Sequence, residues 1–172
     1  MVGINAAAQI SIVGRIGFNT TGVDRTIIEN IRVVTTSRQL TEAEQENTCP
    51  LVFAALSGNK TFASYKNVEI SATVTDLTGS FRAGALIQEF GVANLVVENL
   101  KANNATVAFS AHNCTDVSVR DVWLKNIQTG VYLSTVTNYV VDGISLTNTQ
   151  SQYGRWVARL GTPVRAVNGM MH

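Results

Sequence analysis

The sequence predicts an all-β protein: a single-stranded parallel β-helix, a solenoid with coils of about 22 residues. Three observations carry this expectation. Asn94-Leu95-Val96-Val97-Glu98-Asn99-Leu100 recurs as Asp116-Val117-Ser118-Val119-Arg120-Asp121-Val122 and again as Asn138-Tyr139-Val140-Val141-Asp142-Gly143-Ile144, at a constant spacing of 22 residues. A fixed period in this range marks a repeat architecture. Within each copy, apolar residues stand two apart, as in a strand whose alternate side chains share a face. The unit also has no helical segment and is too short for a βαβ crossover, whose connection alone needs a dozen or more residues. Pairing each strand with its own copy in the next coil resolves this, and turns every column into a ladder with rungs about 4.8 Å apart.

The columns have consistent chemistry. Leu95/Val117/Tyr139, Val97/Val119/Val141 and Leu100/Val122/Ile144 are apolar and should face inward, while Val96/Ser118/Val140 and Glu98/Arg120/Asp142 should face outward. Ile87/Phe109/Val131, Val92/Cys114/Val136 and Ala102/Leu124/Leu146 form further apolar columns, and Asn104/Asn126/Asn148 form an asparagine ladder whose amides bond along the stack. The phrases NLVVENL, TDVSVRDVWL and NYVVDGISL resemble coils of the right-handed parallel β-helix of pectate-lyase-like proteins and bacteriophage tailspikes, over about residues 66–151. That resemblance is one of coil pattern and not of catalytic motif. It implies the fold, a right hand (also the rule for parallel crossovers), a virion or extracellular-surface setting, a polysaccharide partner and a homotrimer. Two other readings stand beside it: a structural assembly module, and a secreted polysaccharide lyase or hydrolase.

Residues 1–172 read as one domain, with regular coils over about 66–151, a loop insertion over 35–49 and irregular ends. Ile10-Ser11-Ile12-Val13 predicts a short strand. A solenoid end exposes strand edges and needs a cap or a partner; no amphipathic helix suits that role, so another chain or a longer parent is expected to cover it. Ile27-Ile28-Glu29-Asn30-Ile31 repeats the Val96–Leu100 pattern and begins the first coil. Thr35 to Thr48 interrupts the repeat, and Thr41-Glu42-Ala43-Glu44 fits a helix-capping box within that loop. Leu51–Leu56 and Tyr65–Val74 resume strands. Aligning Asn67 with Asn94 leaves about five extra residues, placed at Asp76–Ser80. After Ser151 the register decays through Tyr153, Trp156 and Val157, Gly161-Thr162-Pro163 breaks any strand, and Val164–Val167 is expected to add a last partial one.

At 172 residues and 45% hydrophobic, the chain can bury a continuous core; its 15% charged content is low, which suits ladders that stack like on like. The net charge of +1, without basic runs, argues against nucleic acid as a partner. No apolar run approaches the 18 residues of a membrane span, and no signal-peptide pattern is visible. Cys49 and Cys114 are too few for a disulfide framework, and the column of Cys114 marks it as a buried small hydrophobe. Four sequons, at Asn19, Asn59, Asn104 and Asn113, are what chance gives in an Asn- and Thr-rich chain.

Chemistry is sparsely signalled. Glycoside hydrolysis needs two carboxyls about 5–5.5 Å or 6.5–9.5 Å apart, distances that adjacent or alternate rungs supply. Glu89, Glu98, Asp116, Asp121 and Asp142 are the candidate acids, with Glu98, Asp142 and Arg120 the catalytic candidates, although these three read first as a surface charge ladder. Asp116 and Asp121 stand in corner columns where turn residues belong, and Glu89, beside Ala111 and Leu133, is expected to point inward. The motifs of polygalacturonases are absent. His112, aligned with Phe90 and Ser134, reads as a corner histidine with a local hydrogen bond, and no metal or cofactor is expected. Trp123, in an outward column with Lys101 and Ser145, and more weakly Tyr132, are the candidates for stacking on a sugar.

Overall fold

The computed structural model describes residues 9–13, 16–36, 51–73, 85–147, 156–160 and 170–171. It is all-β. Eleven strands form one sheet: β1 (Gln9–Val13), β2 (Ile16–Asn19), β3 (Arg25–Thr36), β4 (Leu51–Ala54), β5 (Phe62–Thr73), β6 (Ile87–Phe90), β7 (Leu95–His112), β8 (Thr115–Ser134), β9 (Thr137–Thr147), β10 (Trp156–Leu160) and β11 (Met170–Met171). Every pairing among them is parallel. The sheet curls into a half-barrel, because β7 pairs with β5 through Leu95–Asn103 and with β6 through Phe109–His112. Its two stretches thus belong to two walls that share one interior.

The curl has a residue-level cause. β7 and β8 are 18 and 20 residues long, far beyond the usual five or six, and they bend at single residues in the left-handed region. Asn99, Asp121 and Gly143 share one such column, with φ of 54°, 54° and 65°. Asn104 and Asn126 share a second, Gly91, Asn113 and Thr135 a third, and Asp116 and Asn138 a fourth. All the non-glycine members except Thr135 are Asn or Asp, the side chains that best tolerate this conformation. Since neighbouring rungs bend at the same place, the pairing skips the corner residue and resumes in register beyond it.

The predicted 22-residue register holds from Leu95 to Thr147. Leu95 pairs with Val117 and Val117 with Tyr139; Val97, Val119 and Val141 follow, as do Leu100, Val122 and Ile144. The inward members are buried except Ile144, which is half-buried. Ile27–Ile31 reaches the same columns as Val96–Leu100 by way of Ser64–Val68. On the second wall, Phe18, Phe53, Ile87, Phe109 and Val131 make one column, with the Phe18 and Phe53 rings stacked at 5.2 Å. Cys114 is buried with a free thiol, against Val92 and Val136 as expected; Cys49 lies outside the described residues.

Two expectations are corrected. Asn67 stacks on Asn99 and not on Asn94: Lys66 pairs with Glu98 and Val68 with Leu100, an offset of 32 residues, so the extra length is ten residues rather than five. Asp76–Ser80, offered as its place, lies outside the described residues. The register also does not simply decay after Ser151, since β10 returns to pair Trp156 with Thr129 and Leu160 with Leu133. The capping box at Thr41, the break at Gly161–Pro163, the strand at Val164–Val167 and the third ladder asparagine, Asn148, lie outside the described residues.

Candidate functional site

The outward face of the β3–β5–β7–β8–β9 wall carries two charge ladders. In one, Glu29 pairs with Lys66, Lys66 with Glu98, Glu98 with Arg120 and Arg120 with Asp142, five rungs of alternating sign. Three residues further along the strands, on the far side of the Asn99/Asp121/Gly143 corner, run Arg32, Glu69, Lys101, Trp123 and Ser145. Ion pairs form at 3.1 Å between Lys66 and Glu98 and at 3.2 Å between Arg32 and Glu69. All four side chains are more than 40% exposed, so each pair contributes about 0.2–1 kcal/mol.

The catalytic candidates Glu98, Arg120 and Asp142 are therefore brought together as consecutive rungs. Glu98 is held by Lys66, and the rung of Arg120 separates it from Asp142. Asp121 bends the chain, Asp116 accepts a hydrogen bond from Asn138 at 2.9 Å, and Glu89 is interior. Among the described residues, no group of three or more His, Cys, Asp or Glu is placed to hold a metal ion.

Trp123 is 45% exposed, the only aromatic residue among the exposed large hydrophobics of the described chain. The Lys101 ammonium lies 5.8 Å from the centre of its ring. Such a cation–π contact contributes about 0.5–1 kcal/mol at an exposed site and steadies the indole on the sheet. Beside this column runs another, Val34, Ser71, Asn103, Lys125 and Thr147, neutral except for Lys125, in which Asn103 donates to Ser71 at 3.1 Å. The result is a rigid outer face with one indole, two exposed lysines and a fringe of amides and hydroxyls.

Tyr132 is not part of this face. It lies beyond the Asn126 corner of β8, half-buried, edge-on to His112 at 5.5 Å, and His112 stacks on Phe90 at 6.5 Å. Burial among these rings lowers the His112 pKa below its ordinary 6.5. Its side chain is thus placed by rings, where the sequence suggested a local hydrogen bond.

Sequence reasoning passed over a cluster in the interior. The Lys60 ammonium donates to Glu89 at 2.9 Å, to Thr20 at 2.8 Å and to Thr26 at 3.2 Å, and the Tyr65 hydroxyl donates to the same Glu89 carboxylate. Lys60 pairs with Val92 and so occupies the apolar column of Cys114 and Val136. Three donors meet three acceptors, which is the full capacity of an ammonium. Burial, reinforced by the negative charge of Glu89, pushes the Tyr65 pKa well above 10.0 and keeps its proton in place as a donor. With Lys60 at 3% and Glu89 at 0% exposure, no substrate reaches this group, and its role is to tie β3, β5 and β6 together from within. The signal was faint: Asn59-Lys60-Thr61 reads only as a chance sequon until the 32-residue offset places Lys60 against Val92.

Comparison of the chain with protein-family models, with curated proteins and with solved structures gives no match. The class that the molecule defines is an all-β protein built on one curled parallel sheet.

Proposed function

We propose that the chain is a right-handed parallel β-helix of the virion- or surface-associated, tailspike type, and that it recognises a cell-surface polysaccharide on the face carrying Trp123. Consecutive strands at 22-residue offsets and corners that recur in the same columns support the coil. Exposed Trp123, steadied by Lys101 on a stiff polar face, is the observation that carries the function. A planar apolar ring bordered by hydrogen-bonding groups suits a sugar, which offers C–H faces and hydroxyl rims. Binding is the activity favoured over cleavage, because Glu98 is engaged by Lys66 at 3.1 Å.

Outward Ile27, 40% exposed, and half-buried Val96 and Val140 supply apolar surface suited to contacts within a homotrimer. A second reading, a structural assembly module with no ligand, draws on the two ladders, where Lys66 pairs with Glu98 and Arg32 with Glu69. A panel of capsule and O-antigen polysaccharides decides between them. The proposal expects a hit that Trp123→Ala weakens at least tenfold, with a trimer in light scattering; a monodisperse protein that binds nothing on the panel favours the structural module.

A further inference from the structure

We infer that the saccharide bound at Trp123 is anionic, with its carboxylate or sulfate held between Lys101 and Lys125; the inference rests on the reading of Trp123 as a sugar platform. Both lysines adjoin the indole. Lys101 occupies the rung before Trp123, about 4.8 Å away along the ladder, and Lys125 lies two residues further on the same strand and face, about 6.6 Å along it.

Charge accounting sets these two apart. Among the described residues, the ion pairs are Arg32 with Glu69, Lys60 with Glu89 and Lys66 with Glu98, so neither lysine has a carboxylate partner. Glu69, on the rung next to Lys101, is already engaged by Arg32 at 3.2 Å. Lys125 stands in a column whose other members, Val34, Ser71, Asn103 and Thr147, carry no charge. The acids Glu98 and Asp142 belong to the ladder before the corner, and Asp121 forms the corner itself. Lys101 follows Glu69 on its ladder, but that acid is held by Arg32; the rungs after Lys101 and the whole column of Lys125 carry no acid. Asn103, Ser145 and Thr147 provide neutral hydrogen bonds for hydroxyls but no acid that would repel an anion.

The test uses the full-length protein and the same polysaccharide panel, followed by carboxyl-reduced or desulfated forms of every hit. Acidic members should bind and neutral ones should not. Removing the acid should abolish binding, and Lys101→Gln and Lys125→Gln should each weaken it about tenfold, the effect of losing one hydrogen bond to a charged group. Both substitutions are on the exposed face, and circular dichroism checks that the variants fold. Hits that are neutral, or indifferent to carboxyl reduction or desulfation, overturn the anionic assignment while leaving Trp123 as a sugar platform. An acidic hit that both lysine variants bind as tightly as the wild type also overturns it. Failure of every polysaccharide to bind overturns this inference and the proposed function together.

Discussion

Lys60 and Glu89 meet at 2.9 Å inside the half-barrel, almost wholly shielded from water. They join the segment before β5 to β6, which are neighbours on neither ladder of the outer face. A buried pair of this kind is costly to break and nearly neutral to replace as a unit, because removing one member strands the other charge in an apolar setting. Glu89→Leu is expected to destabilise the protein by about 3–5 kcal/mol, and Lys60→Met by a similar amount. The double variant should recover most of that loss, as read by denaturant midpoints in a double-mutant cycle.

The corner column Gly91/Asn113/Thr135 contains, among the described residues, the one β-branched residue held in the left-handed region, Thr135 at φ 56°. That conformation costs an ordinary side chain about 1–2 kcal/mol and Asn less. Thr135→Asn should therefore stabilise the fold by up to about 1 kcal/mol, a rise of a few degrees in Tm by calorimetry.

Two glycines at positive φ should respond unequally to alanine. A Cβ at Gly91 would stand 1.8 Å from the Gly58 carbonyl oxygen, whereas at Gly22 nothing lies within 4 Å. Gly22→Ala should cost about 1–2 kcal/mol, the conformational strain alone. Gly91→Ala must displace backbone as well, and should cost clearly more in the same denaturation assay.

Stability should fall at both ends of the pH scale for separate reasons. His112 binds its proton less readily in the folded chain than at its ordinary 6.5, so the unfolded chain gains protons first as pH drops below that value. The stabilisation is complete above pH 6.5 and is lost as the medium acidifies towards the lowered folded pKa. Cys114, raised from 9.0 by burial, and Tyr65, raised from 10.0 by burial and by Glu89, act in the opposite sense. Unfolded thiol and phenol lose protons first, so stability declines as pH climbs past about 9 and then 10. His112→Phe, which keeps a ring between Phe90 and Tyr132, should flatten the acid limb of a Tm-versus-pH curve and leave the alkaline limb unchanged.

The regular block was legible because its offset is constant. Leu95, Val117 and Tyr139 fall into line by counting, and with them the outward placing of Trp123 and the ladder of Glu98, Arg120 and Asp142. Earlier rungs were hidden by offsets of 37 and 32 residues, so Glu29 and Lys66 were not recognised as members of that ladder. Asn67 was matched to Asn94 for a definite reason. Asn94 and Asn99 are each followed by an inward apolar residue, Leu95 or Leu100, and the period-2 pattern cannot tell one such start from the other. Lys60 was hidden more deeply, since a lysine in an apolar column contradicts the pattern by which columns are found. Its partners come from two other parts of the chain, Thr20 and Thr26 from one and Glu89 from the other.

The recurring corners make length a separate variable from cross-section. Residues 116–137 could be excised, and 138–147 would then rest on 94–103 with inward apolar and outward polar positions still in line. Asp142 would face Glu98, so the alternation of sign would be lost, and Trp123 and Lys125 would leave with the unit. On the proposed coil, gain or loss of one such unit changes the protein's reach by about 4.8 Å and keeps its cross-section. The chain can be lengthened like a ruler, with its faces kept in register at every added mark.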